Sequence, residues 1–178
     1  VRGGADDKAI EGGVDIYGDL RQAIVQGGSM AGSGFNVHGG GLRVLQVVNS
    51  RAVAVETAID VDQRLEHAKF IGDLDGDLTV SDDSRTDGMG LLYVRGGADD
   101  NAIDGNVNIY GDTTHVIVQG GAMAGSEFNI HDGGLRVLKA LNRGGMAAEG
   151  SIDIDHRVEQ AIFDGDFGAQ MQVSDETR

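Results

Sequence analysis

The sequence predicts an all-β protein, best described as a β-solenoid of about eight strand-turn-strand units, each about 20 residues long. The first observation is a duplication: a shift of 93 residues aligns Val1–Arg85 with Val94–Arg178 without a gap, and 49 of the 85 pairs are identical. The second is an apolar–polar–apolar triplet that recurs along both copies, because alternation with period two is typical of strands. The third is composition: 30 glycines, no proline or tryptophan and 4% aromatic residues suit a thin core stacked along an axis better than a sandwich.

The duplication divides the chain into two homologous modules, 1–93 and 94–178, and the second module lacks the counterpart of residues 86–93. Val1 aligns with Val94, which ends the strand-like run Leu91–Val94. The chain therefore begins in mid-strand relative to its own repeat, which suggests a processed product or a slice of a longer array. A solenoid also ends in unpaired strand edges, which need a cap or a partner.

The triplets predict one strand in each unit, and a second apolar segment between triplets predicts another. The triplets are Val14–Ile16, Phe35–Val37, Ile59–Val61, Leu78–Val80, Val107–Ile109, Phe128–Ile130, Ile152–Ile154 and Met171–Val173. The second segments of the first module are Ala23–Val25, Leu42–Val48, Ala68–Ile71 and Leu91–Val94. Glycine pairs such as Gly27-Gly28 stand beside these segments, and glycine is suited to turns that need a positive φ.

Two segments leave alternatives open. Residues 49–58 alternate as a strand does, but the copy at 144–151 is rich in glycine. Residues 62–69 (DQRLEHAK) hold the best helix formers of the chain. They predict one short helical turn or a loop, with a β-strand as the alternative.

Charge and composition exclude several classes of partner. The formal net charge is −15, which argues against nucleic acid and anionic membranes and favours solubility or cation binding. No apolar run approaches the length of a membrane-spanning helix, so no membrane insertion is expected. The chain has no cysteine, so neither disulfides nor thiol chemistry is expected.

Acidic turns are the candidate metal sites, and a solvated turn is the alternative for each. The first pair is Asp6 and Asp7, repeated as Asp99 and Asp100. The second candidate has carboxylates at alternate positions, as calcium loops do; its residues are Asp73, Asp75 and Asp77. Ser84 stands where a calcium loop would place its closing glutamate. The predicted cofactor is therefore none, or Ca²⁺.

The run GGADDNAIDG at 96–105, which follows the strand-like LLYV, resembles a degenerate form of the Gly/Asp-rich nonapeptide repeats of RTX β-rolls. That resemblance implies a solenoid in which turn aspartates hold Ca²⁺. The strings VDIYGDLRQAIVQGG and FNVHGGGLRVL are similar to bactofilin-like and other short-coil β-helices. This second resemblance implies the solenoid fold alone.

No nucleophile elbow, phosphate loop or Cys/His pair is present in the sequence. The pairs Asp60/Asp62 and Asp153/Asp155 could act as the two carboxylates of a glycosidase, because alternation places both on one face of a strand. A solvated acidic stripe is the usual alternative. We predict that the protein is not an enzyme, with a carbohydrate-active β-helix as a second alternative function.

The predicted function is that of a structural building block of an extracellular fibre, surface layer or adhesin stalk at the cell surface. The expected partner is a second copy of the chain, joined end to end or edge to edge, and no nucleic acid. The predicted assembly residues are Val1, Arg2, Gly3 and Gly4, which would complete β-structure with a neighbouring copy. The first alternative is a calcium-dependent binding module of a secreted adhesin.

Overall fold

A computed structural model describes residues 1–2, 8–49, 52–81, 88–96, 100–125 and 127–174, and these residues form 19 strands and no helix. In chain order the strands are β1 Lys8–Ile10, β2 Val14–Tyr17, β3 Leu20–Gln26, β4 Ser29–Met30, β5 Phe35–His38, β6 Leu42–Val48, β7 Ile59–Val61, β8 Leu65–Ile71, β9 Leu78–Val80, β10 Met89–Arg95, β11 Asn101–Ile103, β12 Val107–Tyr110, β13 Thr113–Gln119, β14 Ala122–Met123, β15 Glu127–His131, β16 Leu135–Ala148, β17 Ser151–Ile154, β18 Val158–Phe167 and β19 Gln170–Val173.

Parallel pairing stacks these strands into a β-solenoid of about seven turns, which confirms the predicted fold class. The long-strand sheet runs in the order β3, β6, β8, β10, β13, β16, β18. The short-strand sheet runs in the order β2, β5, β7, β9, β12, β15, β17, β19 and contains the triplets. Neighbours in each sheet are consecutive coils, so each coil contacts only the coil before it and the coil after it.

A third, narrow column of paired residues closes each coil between the two sheets. Its members, one from each coil, are Ile10, Met30, Val55, Leu74, Ile103, Met123, Ala148 and Phe167. From β3 onward, each coil therefore has a long strand, a third-column residue and a short strand; in the coil before β3, Arg2 bridges to the long-strand sheet in place of a long strand. The sequence predicted the two strands of each unit, and the third column is found only in the structure.

The core is a set of apolar columns that run along the solenoid axis. Leu42, for example, is paired with Leu20 in the coil before it and with Leu65 in the coil after it. Leu42 and Leu65 are at most 1% exposed, and Phe70 is one of the largest fully buried side chains. A thin core of this kind needs few aromatic residues, as the composition indicated.

Glycines stack on one another at the corner before the short-strand sheet. A Cβ on Gly32 would overlap the backbone of Gly12, and a Cβ on Gly105 would overlap the backbone of Gly76. Gly27 has the positive φ predicted for its turn, at 77°. The high glycine content therefore has two causes: turn conformation and the close approach of successive coils.

The helical-turn interpretation of residues 62–69 is wrong: residues 62–64 form a loop, and from Leu65 onward the β alternative is right, because β8 covers Leu65–Ile71. Leu65, Ala68 and Phe70 are buried between β6 and β10. Pairing with two neighbouring strands outweighs the local helix propensity of the segment, as tertiary context commonly does.

The uncertain segment 49–58 has no strand among its described residues, but Val55 forms isolated parallel bridges to Met30 and Leu74. In the copy, β16 continues through the corner to Ala148, which pairs with Met123. The two modules thus reach the third column by different local backbone structures.

The boundary between the two sequence modules, at residues 93 and 94, lies inside β10. This strand pairs with β8 on one side and β13 on the other over the same residues, Met89–Arg95. Both sheets run through the boundary without a break, so the two modules stack in one solenoid. The described residues hold no helix of the length and hydropathy needed to cross a membrane.

Candidate functional site

The acidic turn Asp73–Asp77 places its three carboxylates in different surroundings. Asp73 is 0% exposed, whereas Asp75 and Asp77 are exposed. One oxygen of Asp77, Oδ1, accepts a hydrogen bond of 2.8 Å from the backbone N–H of Asn106 in the next coil. Asp77 therefore helps to fasten one coil to the next.

The other predicted metal turn is mostly outside the described residues, which include Asp100 but not Asp6, Asp7 or Asp99. Asp100 is exposed, and its backbone carbonyl accepts from Ala122 N–H at 2.7 Å. Within the described part of the chain, no three His, Asp or Glu side chains form a group able to hold a metal ion. Calcium binding at the acidic turns stays a prediction.

The outer face of the short-strand sheet has a single file of polar side chains, the middle residues of the triplets. In coil order the file is Asp15, Asn36, Asp60, Thr79, Asn108, Asn129, Asp153 and Gln172. We call this file the polar ladder. Neutral residues separate its three carboxylates, which avoids like charges on directly opposed strands.

Hydrogen bonds join members of the polar ladder in both modules. Asn36 Nδ2 donates to Asp15 Oδ1 at 2.8 Å, and Asn129 Nδ2 donates to Asn108 Oδ1 at 3.1 Å. The Asn36 hydrogen bond is the main reason why the pKa of Asp15 is lowered, with a further contribution from His38. The polar ladder therefore links successive coils through hydrogen bonds between its carboxylate and amide side chains.

A Tyr-His pair flanks the ladder once in each module. Tyr17 and His38 have ring centroids 5.1 Å apart, and Tyr110 and His131 have centroids 4.7 Å apart. His38 Nε2 lies 3.5 Å from Asp15 Oδ1. The 93-residue shift of the duplication makes His38 and His131 equivalent, but the sequence carries no signal for their contacts with tyrosine, because each contact joins two coils.

The two carboxylates of each pair considered for glycoside hydrolysis lie in different places on the coil. Asp60 and Asp153 belong to the polar ladder, and Asp62 and Asp155 lie at the corner beyond it. Asp62 Oδ2 accepts from Gly39 N–H at 2.6 Å, and Asp155 Oδ2 accepts from Asp132 N–H at 2.8 Å. Asp62 and Asp155 therefore hold the corner of the preceding coil, which is a structural use of these carboxylates.

A surface hollow with a volume of about 410 Å³ lies at the start of the long-strand sheet. Its lining includes Arg21, Arg43 and Arg64, together with Glu66, whose Oε2 lies 3.3 Å from Arg43 Nε. The hollow is open to solvent, and its lining contains side chains of both charges.

The N-terminal end of the solenoid leaves apolar side chains of β1, β2 and β3 partly uncovered. These residues pack against the core on one side, and no described strand covers them completely on the other; they are Ala9, Ile10, Val14, Ile16, Leu20 and Ala23. We call them the N-terminal end cluster. The equivalent residues Ile103, Val107 and Ile109 are buried in the middle of the molecule, so the exposure comes from position in the stack.

The last coil has the same arrangement at the opposite end. Its partly covered or exposed apolar residues are Val158, Phe163, Phe167, Ala169, Met171 and Val173. We call them the C-terminal end cluster. Phe167 and Val173 are 44% and 45% exposed, whereas their counterparts Leu74 and Val80 are 0% exposed.

Two of the four predicted assembly residues are described, and both pair within their own chain. The amino group of Val1 donates to Ile24 O at 2.8 Å, and Gln26 N–H donates to Val1 O at 3.1 Å. Arg2 forms a parallel bridge with Gln26. Val1 and Arg2 thus extend the long-strand sheet beyond β3 and form part of its edge, while Gly3 and Gly4 lie outside the described residues.

Charge is unequally distributed over the sides of the solenoid. The described strands of the short-strand sheet contain no Lys or Arg. Those of the long-strand sheet contain seven such residues, which are Arg21, Arg43, Lys69, Arg95, Arg136, Lys139 and Arg143. The two end clusters are apolar, and they therefore differ in chemistry from the charged sides.

No protein-family model, curated protein or solved structure matches this chain.

Proposed function

We propose that this chain is a structural building block that assembles end to end into an extracellular or cell-surface fibre, layer or stalk. The observation that carries the proposal is the pair of apolar end clusters at opposite ends of one stack. Apolar side chains left in water at both ends favour association through those ends, because covering apolar surface is the main favourable term in protein association.

Backbone groups at the ends support the same proposal. The outer edges of β2 and β19 are the two ends of the short-strand sheet, and no described strand of the chain pairs with either. An unpaired edge is a template for a strand of another chain. Among the described residues, the exposed large apolar side chains are Val1, Tyr17, Phe167 and Val173, and all four belong to the first or the last coil. Association along the axis is therefore favoured over association side by side.

Electron microscopy of the purified 178-residue chain tests the proposal, over rising protein concentration and with and without Ca²⁺. The expected result is fibres one solenoid wide with a repeat of about 38 Å along the axis, since each copy contributes the eight strands of the short-strand sheet and parallel strands are spaced by about 4.8 Å. The control is the double variant Met171→Asp/Val173→Asp, which places charge in the C-terminal end cluster. It should retain the circular dichroism of a β protein and stay as single particles.

Single particles of the unaltered chain at every concentration would overturn the proposal. Fibres that form equally well from the double variant would show that the joint lies elsewhere. Fibres that require Ca²⁺ would support assembly and also assign a role to the acidic turns. The proposed location is tested separately, by antibody labelling of intact cells that produce the protein.

A further inference from the structure

We infer that copies of the chain stack head to tail, with the last coil of one copy on the first coil of the next in the register of the joint between β9 and β12. This inference rests on the proposed assembly and adds the partner surface, the polarity and the residue register. It follows from the duplication: the 93-residue shift makes the last coil equivalent to the fourth coil of the first module, which contains β8 and β9, and the first coil equivalent to the coil of β11 and β12.

The joint inside the chain shows how such coils fit. In the short-strand sheet Leu78 pairs with Val107, and Val80 pairs with Ile109. In the third column Leu74 bridges to Ile103. All these side chains are at most 2% exposed, so the joint is closed and dry.

Transfer of this register to two copies gives defined pairs. Met171 would lie on Val14 of the next copy, and Val173 on Ile16. In the third column Phe167 would lie on Ile10. Each pair joins two apolar side chains that are exposed or only partly covered in the single chain. The two end clusters are thus complementary to each other in apolar character.

Backbone hydrogen bonds can be transferred in the same way. Leu74 N–H donates to Ala102 O at 2.9 Å, and Asp104 N–H donates to Leu74 O at 2.9 Å. The equivalent donors and acceptors at the ends are Phe167 N–H with Ala9 O, and Glu11 N–H with Phe167 O. The ends therefore match in hydrogen bonding as well as in apolar surface.

Charge adds one contact that the internal joint lacks. Arg95 pairs with Ile71 inside the chain, but the equivalent of Ile71 in the last coil is Asp164. Arg2 of the next copy would therefore lie beside Asp164, which is 44% exposed and already pairs with Arg143 at 2.8 Å. Opposite charges at this position favour the head-to-tail joint over a joint between two identical ends.

The long-strand sheet is the incomplete part of the joint. Inside the chain, β10 fills it over seven residues, Met89–Arg95. Between two 178-residue copies, only Val1 and Arg2 occupy the equivalent places. Insertion of the segment Thr86–Tyr93 before Val1 would supply the rest of that strand, and we expect it to lower the concentration at which fibres form at least tenfold.

Disulfide cross-linking tests polarity and register, because the chain has no cysteine of its own. Asp15 and Gln172 are the two ends of the polar ladder and become direct neighbours in the inferred joint. Within one chain they are separated by seven strand spacings, roughly 33 Å, which no disulfide can bridge. The double variant Asp15→Cys/Gln172→Cys should therefore form, under mild oxidation, a ladder of dimers, trimers and higher species on a non-reducing gel.

Three control variants distinguish the inferred joint from other joints between copies. Each single variant, Asp15→Cys or Gln172→Cys, can form only a dimer, and only through a joint between identical ends; we expect no dimer from either. The double variant Glu11→Cys/Gln172→Cys places the thiols on different parts of the coil and should give no ladder.

The outcomes separate this inference from the proposed function. If fibres form, two results would overturn the head-to-tail register but leave end-to-end assembly standing: dimers from the single variants, or cross-linked species from the Glu11→Cys/Gln172→Cys variant alone. Fibres without cross-linked species from the Asp15→Cys/Gln172→Cys variant would also overturn the register and leave end-to-end assembly standing. The absence of both fibres and cross-links would overturn both proposals.

Discussion

At the scale of single residues, glycine is used in this protein for close contact between coils as much as for turns. Gly76 and Gly12 show the difference. A Cβ on Gly76 would overlap the backbone of Thr57 in the coil before it, whereas a Cβ on Gly12 has nothing within 4 Å. Neither glycine has a positive φ, so the two positions differ only in the space around them.

We therefore predict that Gly76→Ala lowers the free energy of unfolding by about 1–3 kcal/mol, the usual cost of forcing extra volume into packed backbone. Gly12→Ala is the matched control and should change the free energy of unfolding by less than about 0.5 kcal/mol, as substitutions at exposed positions do. Urea unfolding of both variants below the concentration of assembly measures the difference. Equal effects of the two substitutions would contradict the close-contact explanation.

The polar ladder has a predicted pH dependence at Asp15. Its pKa is held below the ordinary value of 3.8, chiefly by the hydrogen bond from Asn36 and also by His38. A carboxylate with a lowered folded-state pKa stabilises the fold above its unfolded pKa, and that contribution is lost as the pH falls through the folded value. Asp15→Asn keeps the shape of the side chain and removes the titration.

We expect the unaltered chain to be more stable than Asp15→Asn at pH 6, and the gap to close as the pH falls from 4 toward 2. The stability of both proteins over this range, together with an NMR titration of the Asp15 carboxyl, tests the point. The second module offers a natural comparison, since Asn108 already occupies the equivalent position. A titration midpoint above 3.8 would contradict the prediction.

At the scale of elements, the position of a coil in the stack decides how much each of its side chains contributes. Ile16 in β2 and Ile109 in β12 are the same residue type at equivalent places in the two modules. Ile109 is 0% exposed between β9 and β15, whereas Ile16 is only partly buried at the N-terminal end. A strand in the middle has two neighbours, and an end strand has one.

We predict that Ile109→Ala destabilises the monomer by about 2–5 kcal/mol, as buried large-to-small changes do. Ile16→Ala should cost less than about 1.5 kcal/mol, because less of its side chain leaves water on folding. For assembly, Ile16→Ala should have the larger effect of the two substitutions, and it should raise the concentration at which fibres form. Denaturant unfolding and sedimentation measure the two effects. A monomer equally sensitive to both substitutions would contradict this account.

The elements also show where reading the sequence succeeds and where it fails. Every triplet became a strand of the short-strand sheet because period-two alternation directly reports one buried and one exposed face. The composition of residues 62–69 favours a helical turn, but β8 forms from Leu65 onward because β6 and β10 pair with it on both sides. The third column was missed because a single residue per coil has no periodicity to detect.

At the scale of the whole molecule, net charge opposes the association that the apolar ends favour. Copies that each have a formal charge of −15 repel one another, and salt screens that repulsion. The screening length falls from about 30 Å at 0.01 M salt to about 3 Å at 1 M.

We predict that a rise in NaCl from about 0.01 M to about 0.5 M increases the number and length of fibres, because the apolar joint itself does not depend on ionic attraction. Light scattering followed by electron microscopy checks this result, and Met171→Asp/Val173→Asp should not respond to salt. Loss of fibres at high salt would show instead that ionic contacts such as the one inferred between Arg2 and Asp164 hold the joint.

The sequence by itself determined the all-β class, the solenoid and the two-fold duplication, because these are one-dimensional patterns that repeat along the chain. Only the tertiary structure decided the role of individual polar residues. The spacing of Asp62 makes it a candidate catalytic carboxylate, whereas its hydrogen bond from Gly39 one coil away gives it a structural role at the corner. Likewise Ile16 and Ile109 are identical in sequence pattern, and only the number of coils stacked on each decides which one is core and which one is surface.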